Sequence, residues 1–200
     1  VAWFENSFDS RTSGLHVVMN YGTIALGTGA MGFHLSGNVT LENKRISPVS
    51  SDNFGATLEA LMFTSRPKTK WILGGNYKIS KFDISLSNTY FGKTTFKQEG
   101  LDSNLRTEFI PKIVTDLGIN YTATDKLTVA LNVNNLLNVV PEWKFKAENA
   151  IGTAILNNPT QVKSQFNLIT FNGRYSQMTY EGYHFSQLGT MFNLSLNYKF

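Results

Sequence analysis

AMGFHLSGNVTLE, from Ala30 to Glu42, sorts its residues by parity. Met31, Phe33, Leu35, Val39 and Leu41 alternate with Gly32, His34, Ser36, Asn38, Thr40 and Glu42. Successive side chains of a strand point to opposite faces, so the stretch predicts a strand with one apolar and one polar face. Six further segments repeat the pattern. Their apolar sets are Leu15, Val17, Met19, Tyr21; Trp71, Leu73, Tyr77, Ile79; Phe82, Ile84, Leu86, Tyr90; Ile113, Leu117, Ile119, Tyr121; Leu127, Val129, Leu131, Val133; and Phe192, Leu194, Leu196, Tyr198, Phe200. No Asp, Glu, Lys or Arg shares these apolar faces, and Glu42, Lys78, Asp83, Asp116 and Lys199 all fall on the opposite ones.

A soluble sandwich would also alternate, but three features favour strands that cross a membrane. The segments run for about ten residues, the length a tilted strand needs to span a bilayer. Their connections alternate in length. Tight turns at Gly27-Thr28-Gly29, Ser80-Lys81 and Thr124-Asp125-Lys126 separate long excursions at 44–69, 93–112 and 138–189. Finally, four segments close on the pair Asn-Tyr: Asn20-Tyr21, Asn76-Tyr77, Asn120-Tyr121 and Asn197-Tyr198. If Phe200 lies at the periplasmic side, alternating strand direction brings Tyr21, Tyr77, Tyr121 and Tyr198 to one level, an inner aromatic girdle. Trp71, Tyr90 and Phe192 then supply the outer one. The expected fold is all-β: an antiparallel transmembrane β-barrel segment of about seven or eight strands, with short periplasmic turns and long extracellular loops.

Composition bounds the alternatives. Of the 200 residues 16% are charged, 13% aromatic and 5 proline, a β-rich and ordered balance. The net charge of +4 is spread over loops and turns without a dense basic stripe, which argues against nucleic acid. Cysteine is absent, so no disulfide framework or thiolate metal site is available. No run of about 18 apolar residues predicts a spanning helix, a test that barrels defeat because half their residues face water. Val1 starts without a charged-then-apolar leader, as expected of a processed end or a fragment. Within the long connections, 55–63 suits a helix, and 146–156 suits a short one ended by Asn157-Asn158-Pro159.

The stretch LTVALNVNNLLNVVPEW, Leu127 to Trp143, resembles the penultimate-strand motif of TonB-dependent outer-membrane receptors, with Asn134, Asn135, Leu136, Leu137 and Asn138 at the matching positions. RTSGLHVVMNY, Arg11 to Tyr21, resembles another strand of that family, and the strand closing at Phe200 is similar to its C-terminal assembly signal. The resemblance covers the chain as a C-terminal portion, residues 1–200, of the barrel. It implies a receptor that binds a scarce extracellular ligand, most often an iron-siderophore complex, and imports it with TonB-coupled energy. Cobalamin and oligosaccharides are the family's other cargoes. It also implies location in the bacterial outer membrane, contact with outer-membrane lipid, and a role for Phe200 in recognition by the barrel-assembly machinery. Two departures stand out. The family's barrels have about 22 strands around a plug, whereas this chain has about a third of them and no counterpart of the plug domain or of the segment that engages TonB. A passive porin-like barrel and a soluble β-sandwich binding module are the alternatives.

Chemistry is sparse. His16 and His34 lie on polar faces of adjacent strands and with Glu42 or Asp83 would suggest a metal site or an outer-membrane hydrolase, but no ligand spacing predicts the former, and no acid completes a triad with His34 and Ser36 for the latter. Neither an enzyme nor a cofactor is expected. In the last long connection Phe166, Phe171, Arg174, Tyr175, Tyr180, Tyr183, His184 and Phe185 crowd together. Arginine with aromatic groups suits a flat anionic ligand, which singles out Arg174, Tyr175 and Tyr180 as ligand-binding candidates.

Overall fold

The computed structural model describes residues 8–48, 54–98, 100–170 and 184–200. All seven expected strands form, and they lie side by side in one antiparallel sheet. In chain order the ten strands are β1 (Ser10–Leu26), β2 (Gly29–Arg45), β3 (Thr69–Ile79), β4 (Phe82–Phe91), β5 (Thr94–Phe96), β6 (Leu105–Phe109), β7 (Lys112–Thr124), β8 (Leu127–Asn134), β9 (Trp143–Ala147) and β10 (Met191–Tyr198). The large sheet has the order β1-β2-β3-β4-β7-β8-β10, so its strands are neighbours in sequence once the long connections are passed over. β1 and β10 are its two edges, and the described residues form no closed barrel.

At one end of this sheet the connections are tight. Gly27, at φ 60°, opens the turn between Leu26 and Gly29, and Ser80, at φ 51°, opens that between Ile79 and Phe82. Primed hairpin turns require this left-handed backbone because only they match the right-handed twist of the strands. In the third turn the Thr124 hydroxyl accepts hydrogen bonds from the Lys126 and Leu127 amides at 3.3 and 3.1 Å.

The other end carries a second layer. A three-stranded sheet, β5-β6-β9, packs with helices α1 (Ala56–Phe63), α2 (Ala150–Leu156) and α3 (Pro159–Ile169). Leu101, Leu105, Phe109 and Ile169 are its buried core, lined by Trp143, Phe145, Ala147, Ile155 and Leu156. The helix expected over 55–63 is α1. That expected over 146–156 is corrected: Lys146 and Ala147 end β9, and α2 begins at Ala150. Nor does Asn157-Asn158-Pro159 only end a helix. The Asn158 side chain accepts from the Thr160 and Gln161 amides and Pro159 takes the first position of α3, where a missing N–H costs nothing.

Candidate functional site: the apolar face and the layer above it

Most apolar side chains of the seven strands fall on one continuous face, with Val18, Ile72, Phe91 and Val114 on the other, and apart from the buried Val133 near its top that face is largely open. Leu15, Met19 and Tyr21 on β1 are 60–67% accessible, and Phe192, Leu194 and Leu196 on β10 are 68–74%. Soluble monomers rarely leave a contiguous apolar patch of this extent uncovered. Its hydrogen-bonded rows contain no Asp, Glu, Lys or Arg from the level of Val17 down to Tyr198. Two polar residues that do fall there, Asn88 and Thr115, bond each other at 2.8 Å.

The four tyrosines do not share one row. Tyr21 is in register, strand by strand, with Phe33, Gly75, Leu86, Leu117, Val133 and Phe192. Tyr77 lies two residues below that row on β3, Tyr121 four below on β7, and Tyr198 six below on β10. Their strands are successively two apart in the sheet. Each step is therefore one residue per strand. With about 3.3 Å of rise per residue and about 4.8 Å between strands, the tyrosines define a straight line inclined about 35° to the rows. Trp71 and Phe192 obey the same slope. Trp71 is in register with Tyr90 and Ile113, and Phe192 lies four residues lower, four strands on. Trp71 to Tyr77 and Phe192 to Tyr198 both span six residues, so the two aromatic lines are parallel, about 16 Å apart at that inclination. Apolar residues continue two positions beyond each line, to Ile113 above and to Ile79 and Phe200 below. The whole band is about 27 Å tall.

Aromatic rings on this face cover glycines of the next strand. The Trp71 ring occupies the space a Cβ at Gly37 would need, and the Phe33 ring lies over Gly75. Lower down, the Tyr77 hydroxyl donates to the Leu26 carbonyl at 3.1 Å, and Phe82 stacks on Tyr121 at 4.7 Å.

On the opposite face His16 and His34 are both present but four residues out of register: His16 pairs with Asn38, and His34 with Asn20. The His34 ring covers Gly74. Glu42 pairs with Lys44 at 2.6 Å and Asp83 with Lys78 at 3.5 Å, so neither carboxylate is directed to a histidine. No group of three metal-ligating side chains occurs among the described residues.

The Asn134 to Asn138 motif forms a knot at the top of β8. Asn135 and Asn138 adopt left-handed backbone, at φ 54° and 53°, which asparagine tolerates better than other residues with a side chain. Asn135 is buried; its amide donates to the Val139 carbonyl at 2.6 Å and accepts from the Val139 N–H at 2.8 Å. Its own N–H donates to Asp116 at 2.7 Å, and its carbonyl accepts from the Thr190 hydroxyl at 2.7 Å. The Asn138 side chain accepts from the Thr190 N–H at 3.2 Å.

Of the crowded aromatic segment, Phe171, Arg174, Tyr175, Tyr180 and Tyr183 lie outside the described residues, and Phe166, His184 and Phe185 lie within them. Phe166 stacks on Trp143 at 5.7 Å. His184 is buried among Phe91, Phe109 and Phe185, with Nε2 2.7 Å from the Gly92 carbonyl. Burial holds its pKa below 6.5, helped by Lys112 and opposed by the Gly92 and Phe91 carbonyls. This histidine therefore packs the second layer onto the sheet. The outer strands of that layer are tied by charge. Lys144 and Lys146 flank Glu108 at 3.5 and 3.4 Å, and Arg106 and Lys97 meet Glu148. Burial would raise the Glu108 carboxyl, yet its lysines hold it below the usual carboxylate range.

A basic cleft of about 600 Å³, which the sequence did not reveal, opens where the two layers join. Its walls bring Arg66, Lys68, Lys93, Arg106 and Lys146 together from four separate stretches of chain, so no local run of charge announces it. Compared with known protein families, curated proteins and solved structures, the chain matches none.

Proposed function

We propose that the large sheet is part of a transmembrane β-barrel in the bacterial outer membrane, the C-terminal portion of a TonB-dependent receptor that imports a scarce ligand such as a ferric siderophore. The observation that carries the membrane reading is the pair of parallel aromatic lines bounding an exposed, charge-free face. Strands of outer-membrane barrels tilt 35–45° from the membrane normal and carry an apolar band about 25 Å tall between aromatic girdles. An inclination of about 35° and a band of about 27 Å fit both expectations. Tight turns at one end and long connections at the other agree with periplasmic and extracellular sides.

Closure requires more strands. β1 and β10 occupy the first and seventh places of an antiparallel sheet and so run in the same direction. An odd number of added strands is needed to pair both edges antiparallel, giving the even total of bacterial barrels. The receptor reading within this class rests on the resemblance of the Asn134 to Asn138 stretch and of the closing strand. Under it, Arg174, Tyr175 and Tyr180 contact the imported ligand, TonB acts through a segment outside this chain, and Phe200 serves assembly.

Membrane fractionation tests the first part: the intact protein stays with the outer membrane after alkaline extraction, where a soluble sandwich is released. Uptake of a radiolabelled ferric chelate by cells tests the second. Collapsing the inner-membrane proton gradient abolishes uptake through an energised receptor and leaves a passive pore unaffected. Unchanged uptake and affinity after replacing Arg174, Tyr175 and Tyr180 together by Ala would remove those residues from the binding site.

A further inference from the structure

Residues 184–190, which lead into β10, lie over the face of the large sheet that carries His34. A cavity of about 230 Å³ separates them from it, walled by Phe185, Ser186 and Gly189 on one side and by Thr89, Val114 and Asp116 on the other. Those three sheet residues belong to the His34 face: Val114 pairs with Thr89, and Asp116 shares a row with Ser87, Gly74 and His34. The strap is fixed at both ends. Thr190 bonds to Asn135 and Asn138 at one of them. At the other the His184 ring enters a cage of Phe91, Phe109 and Phe185, and its Nε2 meets the Gly92 carbonyl at 2.7 Å.

The neutral ring suits this cage and the charged ring does not. A neutral imidazole has one N–H, and at Nε2 the Gly92 carbonyl accepts it. Protonation adds a second N–H at Nδ1, which is buried without a hydrogen-bond partner among the described residues. The charges around the cage are mainly cations. β7 presents Lys112, already held by Glu142 at 2.6 Å; β3 lays Lys70 over the Phe91 ring at 5.1 Å; and Lys93 follows Gly92. Beside Phe109, Glu108 is engaged by Lys144 and Lys146, and Asp116, four residues down β7 from Lys112, accepts from the Asn135 N–H. Residues 185–190 carry no ionisable side chain. A buried imidazolium without a counter-ion is costly, whereas water solvates it fully.

We propose that residues 184–190 form a proton-operated strap: protonation of His184 frees its end from the aromatic cage and uncovers the cavity beneath, while the large sheet stays folded. Under the membrane reading the strap crosses the outer mouth of the barrel interior, so acid would open access there. That consequence rests on the membrane reading; the strap itself does not.

Hydrogen exchange of the intact protein in micelles, read by mass spectrometry and corrected for the intrinsic rate at each pH, tests the proposal. The ring's pKa lies below 6.5 when pinned and returns to 6.5 when free. Between those values the ratio of released to pinned strap rises about tenfold per pH unit as pH falls, the slope of one proton. Peptides covering 185–190 therefore lose protection about tenfold per unit, from a level below that of β2 and β3. His184→Gln keeps a donor for Gly92 but takes up no proton, and its strap peptides show no such slope. Lys112→Gln removes the like charge and frees Glu142 to balance the imidazolium, so the fall moves to higher pH; this decides the matter if His184→Gln does not fold. Protection independent of pH, an unchanged slope in His184→Gln, or an unmoved fall in Lys112→Gln overturns the proposal. So does equal protection of the strap and of β2 and β3 at every pH, which would make His184 act only through global unfolding. A protein that alkaline extraction strips from membranes, yet whose strap releases, overturns the membrane reading alone.

Discussion

Single-cysteine labelling can measure directly whether the aromatic lines are membrane levels. The chain contributes no native cysteine, so Tyr21→Cys, Tyr77→Cys, Tyr121→Cys, Tyr198→Cys and Phe192→Cys each place one nitroxide in it. Depth in lipid vesicles follows from the ratio of oxygen to polar-relaxant accessibility in electron paramagnetic resonance. Tyr21 and Phe192 belong to the same hydrogen-bonded row, so in a sheet standing upright they would be equally deep. Tyr198, six residues below Phe192, would then lie about 20 Å deeper than Tyr21. Tilting the strands by about 35° reverses this expectation: all four tyrosine positions fall within about 3 Å of one depth, and Phe192 lies about 16 Å from them. Equal depths at positions 21 and 192 would refute the tilt and with it the girdle. Uniform aqueous accessibility at all five would refute the membrane reading altogether.

The glycine beneath Trp71 makes a packing prediction. Gly37→Val costs about 2 kcal/mol by overpacking against the indole, and a cycle with Trp71→Ala removes most of that cost, measured by urea unfolding of the intact protein in micelles. Asn135→Ala loses two bonds to Val139 and the residue's tolerance of left-handed backbone, a cost of about 3 kcal/mol in the same assay; Asn135→Gly restores only the backbone part. His184 makes stability depend on pH. Its folded pKa lies below the 6.5 of the unfolded chain, so its contribution is complete above pH 6.5 and is lost as pH falls toward the folded pKa. His184→Gln flattens the fall in unfolding midpoint below that pH.

The large sheet was legible because its two faces differ at every second residue over long runs, and parity survives any error in strand ends. The small sheet left a similar but shorter trace. Leu105, Thr107 and Phe109 alternate with Arg106 and Glu108, and Trp143, Phe145 and Ala147 with Lys144 and Lys146, five residues each inside connections whose pairing partners lie far away in sequence. β5, at three residues, carries almost no period at all. The inclination of the tyrosine line was beyond the sequence for a different reason. Parity fixes the face of a residue, whereas its height relative to neighbours depends on register, which the bulges at Ser13/Gly14 and Tyr21/Ile24 shift. The basic cleft needed the second layer in place before its five cations could be seen as neighbours.

The Asn134 to Asn138 stretch owes its composition to the strand that follows. Residues 135–190 separate β8 from β10, whereas two residues separate the tightest hairpins, and closing the longer loop costs about 3 kcal/mol more in chain entropy. β10 has a partner on one side only and all its residues exposed, so little within the sheet repays that cost. The two bonds from Thr190 to Asn135 and Asn138 contribute about 1 kcal/mol each, and His184 and Phe185 anchor the same connection against Phe91. These contacts also set register. Thr190 directly precedes Met191, which pairs with Asn134; a slip of one residue there would turn Phe192 through Tyr198 onto the polar side and break both aromatic lines at once. The asparagines are thus needed where the last strand joins, to fix which of its faces meets the apolar side, and this accounts for the motif without assigning it any contact with a ligand.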